Sequence, residues 1–195
     1  MTSKQLWLLA GGNGAGKTTF YKTQLKPLNL PFVNADNIAR ELFPLNSEEH
    51  SYQAASIAEQ IRNRLLEEGK TFCYETVFSH PSKIDFLARA KALNYQIILV
   101  FIHLSSADLN KARISQRIET GGHAVPDDKV QNRIPRTLEN IKSALQLADQ
   151  SYILDNSSLD HPFRQIAVLS EGRAEQKVTP LPVWAGSLLS EYLTN

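Results

Sequence analysis

The chain has 195 residues, 42% of them hydrophobic and 21% charged, with nine Gly and nine Pro, which suits one compact domain with a sizeable core and excludes a disordered or fibrous chain. Its 21 Lys and Arg against 20 Asp and Glu leave a net charge of +1, without the basic excess of a protein that depends on phosphate-backbone attraction, so nucleic acid is not the expected partner. The single cysteine, Cys73, permits no internal disulfide, and no Cys/His spacing offers a closed zinc site, which fits a reducing compartment.

The first apolar run, 6–10, is too short for a signal-peptide core or a membrane span, so a soluble cytoplasmic protein with no membrane partner is expected. Five β-type runs, at 5–10, 31–34, 71–75, 96–104 and 152–155, alternate with stretches of helical period, the pattern of a mostly parallel sheet under helices, hence an α/β fold. Ala54, Ala58, Ile61 and Leu65 keep one helical face, and Ile134, Leu138, Ile141 and Leu145 keep another; both are expected to point at the core. The run 96–102 is apolar without alternation, which predicts a central strand buried on both faces between parallel neighbours. Residues 120–127 are turn-rich and predict a loop between two helices, with Asp127 capping the second. Beyond Ser157 the pattern predicts a hairpin around Glu171-Gly172 and a short last helix with Trp184, Leu188 and Leu189, read as an appendage of the same domain.

Gly11-Gly12-Asn13-Gly14-Ala15-Gly16-Lys17-Thr18 fits G-x-x-x-x-G-K-[ST], directly after an apolar strand and before a helix opening at Lys17, with Thr19 next. Small residues there let the backbone curl so that its N–H groups can face phosphate oxygens. Lys17 is expected to meet the β- and γ-phosphates, and the Thr18 hydroxyl to ligate the Mg²⁺ that bridges them, so the expected ligand is ATP, ahead of GTP, with Mg²⁺.

In open parallel sheets ligands lie beyond the carboxyl ends of the strands, which singles out Asp36, Glu75 and Thr76. An acceptor hydroxyl needs a carboxylate to orient it and take its proton, and Mg²⁺ needs one nearby. Asp36 suits the first task and equally the N-cap of a helix 37–43, roles that do not exclude each other. Glu75 suits the metal or the substrate, or a plain ion pair at a strand end; Thr76 is a substrate contact or a turn residue. Arg113 and Arg117 lie four apart, and Arg133 and Arg136 three apart, on the two sides of the Gly121-Gly122-His123 loop; residues 111–142 carry seven Lys and Arg against four Asp and Glu. Such arginines read either as a lid that closes over the transferring phosphate or as a solvated helix face. His123 reads as a lid contact to substrate or a loop hydrogen-bonder, and Cys73 as core. Pro135 disfavours helical geometry at Ile134, so Arg133 and Arg136 are expected on different segments.

Taken together, Ala10–Thr19, Phe32-Val33-Asn34-Ala35-Asp36, Tyr74-Glu75-Thr76, Gly121-Gly122-His123-Ala124-Val125-Pro126 and Leu154-Asp155-Asn156-Ser157 make the chain resemble the zeta-toxin-like P-loop kinases over about residues 6–157. The resemblance implies a nucleoside-kinase-like sheet of five strands in the order 2-3-1-4-5. It also implies transfer of the ATP γ-phosphate to a hydroxyl of a small molecule, in zeta toxins the sugar of UDP-N-acetylglucosamine, and an antitoxin or inhibitor protein as a partner. By the same resemblance Asp36 is the general base, Lys17 and Thr18 contact ATP–Mg²⁺, Glu75 is a substrate or metal-shell residue, and Arg117, Arg133 and Arg136 hold phosphate. The expected layout is a kinase domain 1–157 with a lid 111–142 and an appendage 158–195. Two other readings stay open: a nucleotide-driven switch, and a kinase of nucleosides or nucleic-acid ends.

Overall fold

The computed structural model describes residues 4–119 and 127–193, with the side chains of all but 116–119 and 127. In chain order its strands are β1 Gln5–Ala10, β2 Phe32–Val33, β3 Phe72–Thr76, β4 Gln96–His103, β5 Gln150–Asp155, β6 Arg164–Ser170 and β7 Arg173–Gln176. Its helices are α1 Lys17–Phe20, which runs on through a π-helical turn Tyr21–Leu25, then α2 Ala35–Leu42, α3 Ser51–Glu67, α4 Ser82–Ala92, α5 Ala107–Glu119, α6 Asp127–Leu147 and α7 Val183–Leu189. No helix among the described residues is long and apolar enough to cross a membrane.

The strands form one sheet in the order β2-β3-β1-β4-β5-β6-β7. The five expected strands stand in their expected order and are parallel, and the expected count is corrected from five to seven. The extra pair is the hairpin 164–176: β6 adds antiparallel to β5, and Glu171 and Gly172 turn the chain with φ 52° and 73°. A two-residue turn with both φ positive matches the twist of the strands it joins, which is why this hairpin is legible locally. The tail is therefore part of the sheet. Its helix α7 buries Ala185, Leu188 and Leu189 in the same core as β4.

Side chains alternate across the sheet. Leu6, Leu8, Phe72, Tyr74, Ile97, Leu99 and Phe101 face the layer made by α3, α4, α6 and α7, while Leu9, Cys73, Val100, Ile102 and Leu154 face the opposite side, where Leu25 and Phe20 pack. The expectation for β4 holds: residues 97–103 are all buried, between parallel neighbours β1 and β5. Burial also pushes the Cys73 thiol well above its usual range, so it behaves as core.

Three expectations are corrected. On α3 the buried row is Ala54, Ala58, Arg62 and Leu66, and Ile61 is 39% exposed, because the two small alanines let the helix sit close on a strict i, i+4 row. The N-cap of α2 is Asn34, whose Oδ1 accepts from the Asn37 N–H at 2.9 Å; Asp36 lies in the first turn instead, since the chain leaves β2 at Val33. Pro135 does not divide α6: the helix carries both Arg133 and Arg136. Pro135 and Gln131 are exposed, so the carbonyl that loses its helical donor is reached by water. The side chain of Asp127 and the whole loop 120–126, with His123, lie outside the described residues.

His103 ends β4 at 9% exposure, its ring 4.5 Å from that of Trp184 and 5.7 Å from Phe101. Burial lowers its pKa from 6.5 to about 4, against a smaller upward pull from Asp155. The unfolded chain binds the proton first, so stability should fall as pH drops from 6.5 towards 4, by roughly 3 kcal/mol from this group alone. Urea unfolding at about pH 7 and about pH 4.5 should show a smaller loss for His103→Gln than for the wild type; equal losses would refute the assignment.

Candidate active site

Parallel strands deliver their outgoing loops to one edge, and the register decides which residues meet there. Ala10 pairs with Thr76 on one side and Phe101 on the other, and Leu9 with Glu75, so the loop 11–16 starts level with Glu75 and Thr76. Two glycines let it pass. A Cβ at Gly11 would overlap the Ile102 carbonyl oxygen, and one at Gly16, where φ is 93°, would stand 2.5 Å from Asn156 Nδ2.

The loop is fastened from both sides. Asn156, buried just after β5, donates from Nδ2 to the Ala15 carbonyl at 2.9 Å and accepts the Phe163 N–H at 3.1 Å. Asn110 of α5, also buried, donates to the Asn13 carbonyl at 2.5 Å, and Arg133 of α6 donates to Asn13 Oδ1 at 3.3 Å. Lys17 is 7% exposed; its Nζ donates to the carbonyls of Gly11 at 2.9 Å and Gly12 at 3.1 Å and lies 3.8 Å from Glu75 Oε1. The Thr18 hydroxyl donates to Glu75 Oε2 at 2.9 Å.

Two hollows open on this edge, each of about 370 Å³. The first is lined by the loop with Lys17, Thr18, Thr19, Arg113, Asn156 and Phe163. The second lies towards α2 and α3, lined by Asp36, Arg62, Thr76, Lys129 and Arg133 among others. Gly14, Lys17 and Glu75 line both, so the hollows meet at the Lys17–Glu75 pair.

Of the residues singled out in the sequence, Asn13, Gly14, Gly16, Lys17, Thr18, Thr19, Asp36, Glu75, Thr76, Arg113 and Arg133 line one hollow or both. Arg113, expected as a substrate contact, lines the first hollow, where α5 crosses above the loop at Asn110 and Ile114. Arg136 lines neither hollow; it is exposed and its Nε donates to the Asn132 carbonyl at 2.9 Å, along the outer face of α6. Thr76 also accepts the Phe78 N–H at 3.1 Å, supporting the left-handed turn at Phe78, where φ is 63°. The side chain of Arg117 lies outside the described residues. Sequence reasoning gave no role to Asn110, Asn156, Phe163 and Arg62. Only Asn156 carried a signal, its place just beyond a strand end.

A bound Mg²⁺ typically takes one or two protein oxygens and completes its shell with phosphate and water. The Thr18 hydroxyl and the Glu75 carboxylate, in contact beside Lys17, are hard oxygen donors of that type, so these residues fit the ion. Among the described residues, no group of three or more His, Cys, Asp and Glu gathers into a metal cluster.

Residues 6–141 match the family described as AAA domain. An uncharacterized protein of Haemophilus influenzae is 26% identical over 140 residues, covering 68% of this chain and 99% of that protein. Among solved structures, a chain of the AvrRxo1-ORF1:ORF2 complex crystallised with ATP superposes with a TM-score of 0.72 at 15% identity, covering 90% of this chain and 61% of that one. A chain from the PezAT toxin–antitoxin system of Streptococcus pneumoniae does so with a TM-score of 0.66 at 16% identity, over 100% of this chain and 79% of that one. The chain thus spans about three fifths of the AvrRxo1-complex chain, and at such identities the likeness shows the fold alone.

Asn156→Ala strips one buried and one partly buried backbone group of their partner, and about 2 kcal/mol of stability should go with them. Affinity for ATP should fall in the same variant because the loop loses its fastening. Chemical unfolding and an ATP titration check the pair of effects; unchanged ATP affinity would show that Asn156 only stabilises the fold.

Proposed function

The chain belongs to the AAA domain family, and from that membership and the joined hollows we propose that it is an ATP-dependent phosphotransferase acting on a hydroxyl of a small molecule. One observation carries the reading: Lys17 and Glu75 line both hollows, so a triphosphate tail in the first and an alcohol in the second would meet at a shared point.

The loop 11–16 and Lys17 grip the β- and γ-phosphates, and phosphate oxygens replace the Gly11 and Gly12 carbonyls as acceptors of the Lys17 ammonium. Thr18 and Glu75 would hold Mg²⁺, and the bound ion would supply positive charge to offset that of the phosphates. Asp36 orients the incoming hydroxyl and takes its proton as the oxygen attacks the γ-phosphorus, whose bond to the β,γ-bridging oxygen breaks so that ADP leaves. Arg133, tied to Asn13 at the loop, and Arg113, above the first hollow, supply positive charge to the transferring group, with Arg117 as the third lid arginine and His123 as a lid contact. Arg136 is left out, because it points along the outside of α6. The lid is the segment 111–142 of a kinase domain 1–157 whose sheet and core the appendage 158–195 completes.

The acceptor class we favour is a nucleotide sugar, as in the zeta-toxin-like kinases, in a cytoplasmic protein held in check by an antitoxin. In support, one structural neighbour comes from a toxin–antitoxin system and another from a two-protein complex crystallised with ATP.

Incubation with γ-labelled ATP, Mg²⁺ and a panel of UDP-sugars, nucleosides and RNA ends should give label transfer to a small alcohol. Lys17→Ala should abolish transfer and nucleotide affinity, and Asp36→Asn should lower kcat about 10²- to 10⁴-fold while ATP affinity stays unchanged. Release of free phosphate alone, equal in Asp36→Asn and wild type, would replace the kinase with a hydrolytic switch. Bacterial expression should slow growth for the wild type and not for Lys17→Ala; a harmless wild type would remove the toxin and leave the kinase.

A further inference from the structure

Arg62 is the most unusual side chain of the acceptor hollow. It projects from the buried row of α3 at 5% exposure, with its guanidinium carbon 5.1 Å from the centre of the Phe86 ring and 5.7 Å from that of Tyr74. Its Nη2 reaches Glu59 Oε1 at 3.0 Å, but Glu59 sits at the rim, its side chain 56% exposed. The Arg62 Nε–H, fully buried, has no hydrogen-bond partner among the described residues, and neither has the Tyr74 hydroxyl, which belongs to the same hollow. Two orphaned polar atoms in one cavity wall are costly, at roughly 1–3 kcal/mol each, unless something that enters the cavity satisfies them.

A second cation lines the same hollow: Lys83 of α4, whose pKa burial and then the Arg62 charge lower, against an upward pull from Glu59. The buried Arg62 and the partly buried Lys83 repel each other, Glu75 is engaged by Thr18 and Lys17, and the one carboxylate that acts on both cations, Glu59, does so from the rim.

We propose that Arg62 and Lys83 form an anion subsite, which takes a carboxylate or phosphate group that the acceptor carries in addition to its reacting hydroxyl. The anion accepts from Arg62 Nε–H and the Lys83 ammonium, and the Tyr74 hydroxyl donates to it. The aromatic shelf of Phe86 and Tyr74 fixes the guanidinium plane, so the subsite sets the orientation in which the acceptor hydroxyl faces Asp36. This subsite makes acceptor charge a condition of binding and rests on the phosphotransferase reading for its purpose.

The test reads the subsite without turnover. The full chain, its phosphate loop filled with a non-hydrolysable ATP analogue and Mg²⁺, is titrated with inorganic phosphate, with acetate and with glycerol, while the arginine Nε–H signals are followed by NMR; Arg62→Lys identifies the Arg62 signal by its loss. Phosphate or acetate should shift the Arg62 signal along a saturating curve in the millimolar range, and glycerol should leave it in place; which anion saturates first distinguishes the two sources of charge. Lys83→Gln, at a half-exposed position that leaves the core intact, should weaken the anion about five- to tenfold without altering affinity for the ATP analogue. An Arg62 signal that stays still up to about 100 mM of either anion, or a curve unchanged in Lys83→Gln, would overturn the proposal. A still signal with label transfer intact would point to a neutral acceptor, whereas a saturating signal with no transfer to any alcohol would remove the kinase and keep the subsite.

Discussion

Everything in this molecule turns on six residues of irregular backbone, 11–16, that must stay open towards a polyanion while their own carbonyls remain satisfied. Regular pairing cannot serve them, because the loop has left β1 and has not yet become α1. Side-chain amides serve instead: Asn156 holds the Ala15 carbonyl and Asn110 the Asn13 carbonyl, each from a buried position where the amide has no water to turn to. The loop is thus preorganised by β5 and α5, elements that contribute nothing to the phosphate-binding motif itself. Asn156 also accepts from Phe163, which couples the loop to the start of β6 and gives the late hairpin a part in the site.

The two faces of the sheet do different work. α3, α4, α6 and α7 build a thick layer on one side, where most of the apolar core lies. The other side carries a smaller cluster, packed by α1, its π-helical turn and Leu109 of α5. Since α3, α4 and α6 also wall the acceptor hollow, the layer that stabilises the fold doubles as its rim, and a cation such as Arg62 ends up embedded among core aromatics. Thr137 and Asn140 of α6 tie the same rim to β3's outgoing loop by donating to the carbonyls of Val77 and Phe78 at 3.0 and 2.9 Å.

Where local chemistry decides structure, the sequence was legible. The Gly-rich loop, the doubly buried β4, the Glu171-Gly172 turn and α7 all follow from residues close in the chain, through small side chains, unbroken apolarity or positive φ. Where a residue's fate depends on its neighbours in space, the reading slipped. Ile61 and Arg62 exchanged places because the closeness of Ala54 and Ala58 to the sheet rotates α3. Arg136 turned outward because Arg133, not Arg136, faces Asn13, and the helix survived Pro135 because that side is wet.

By itself, then, the sequence determined that a parallel α/β sheet carries a phosphate-binding loop with Lys17 and Thr18, and that Asp36, Glu75 and Thr76 follow strand ends, since period and motif act over a few residues. Only the tertiary structure decided that Asn156, 141 positions from Ala15, fastens the loop, that Glu75 stands between two hollows, that the hairpin completes the sheet, and that a buried Arg62 lines the same hollow as Lys83. Those relations arise from strand order and register, which bring distant residues into contact and which no local pattern encodes.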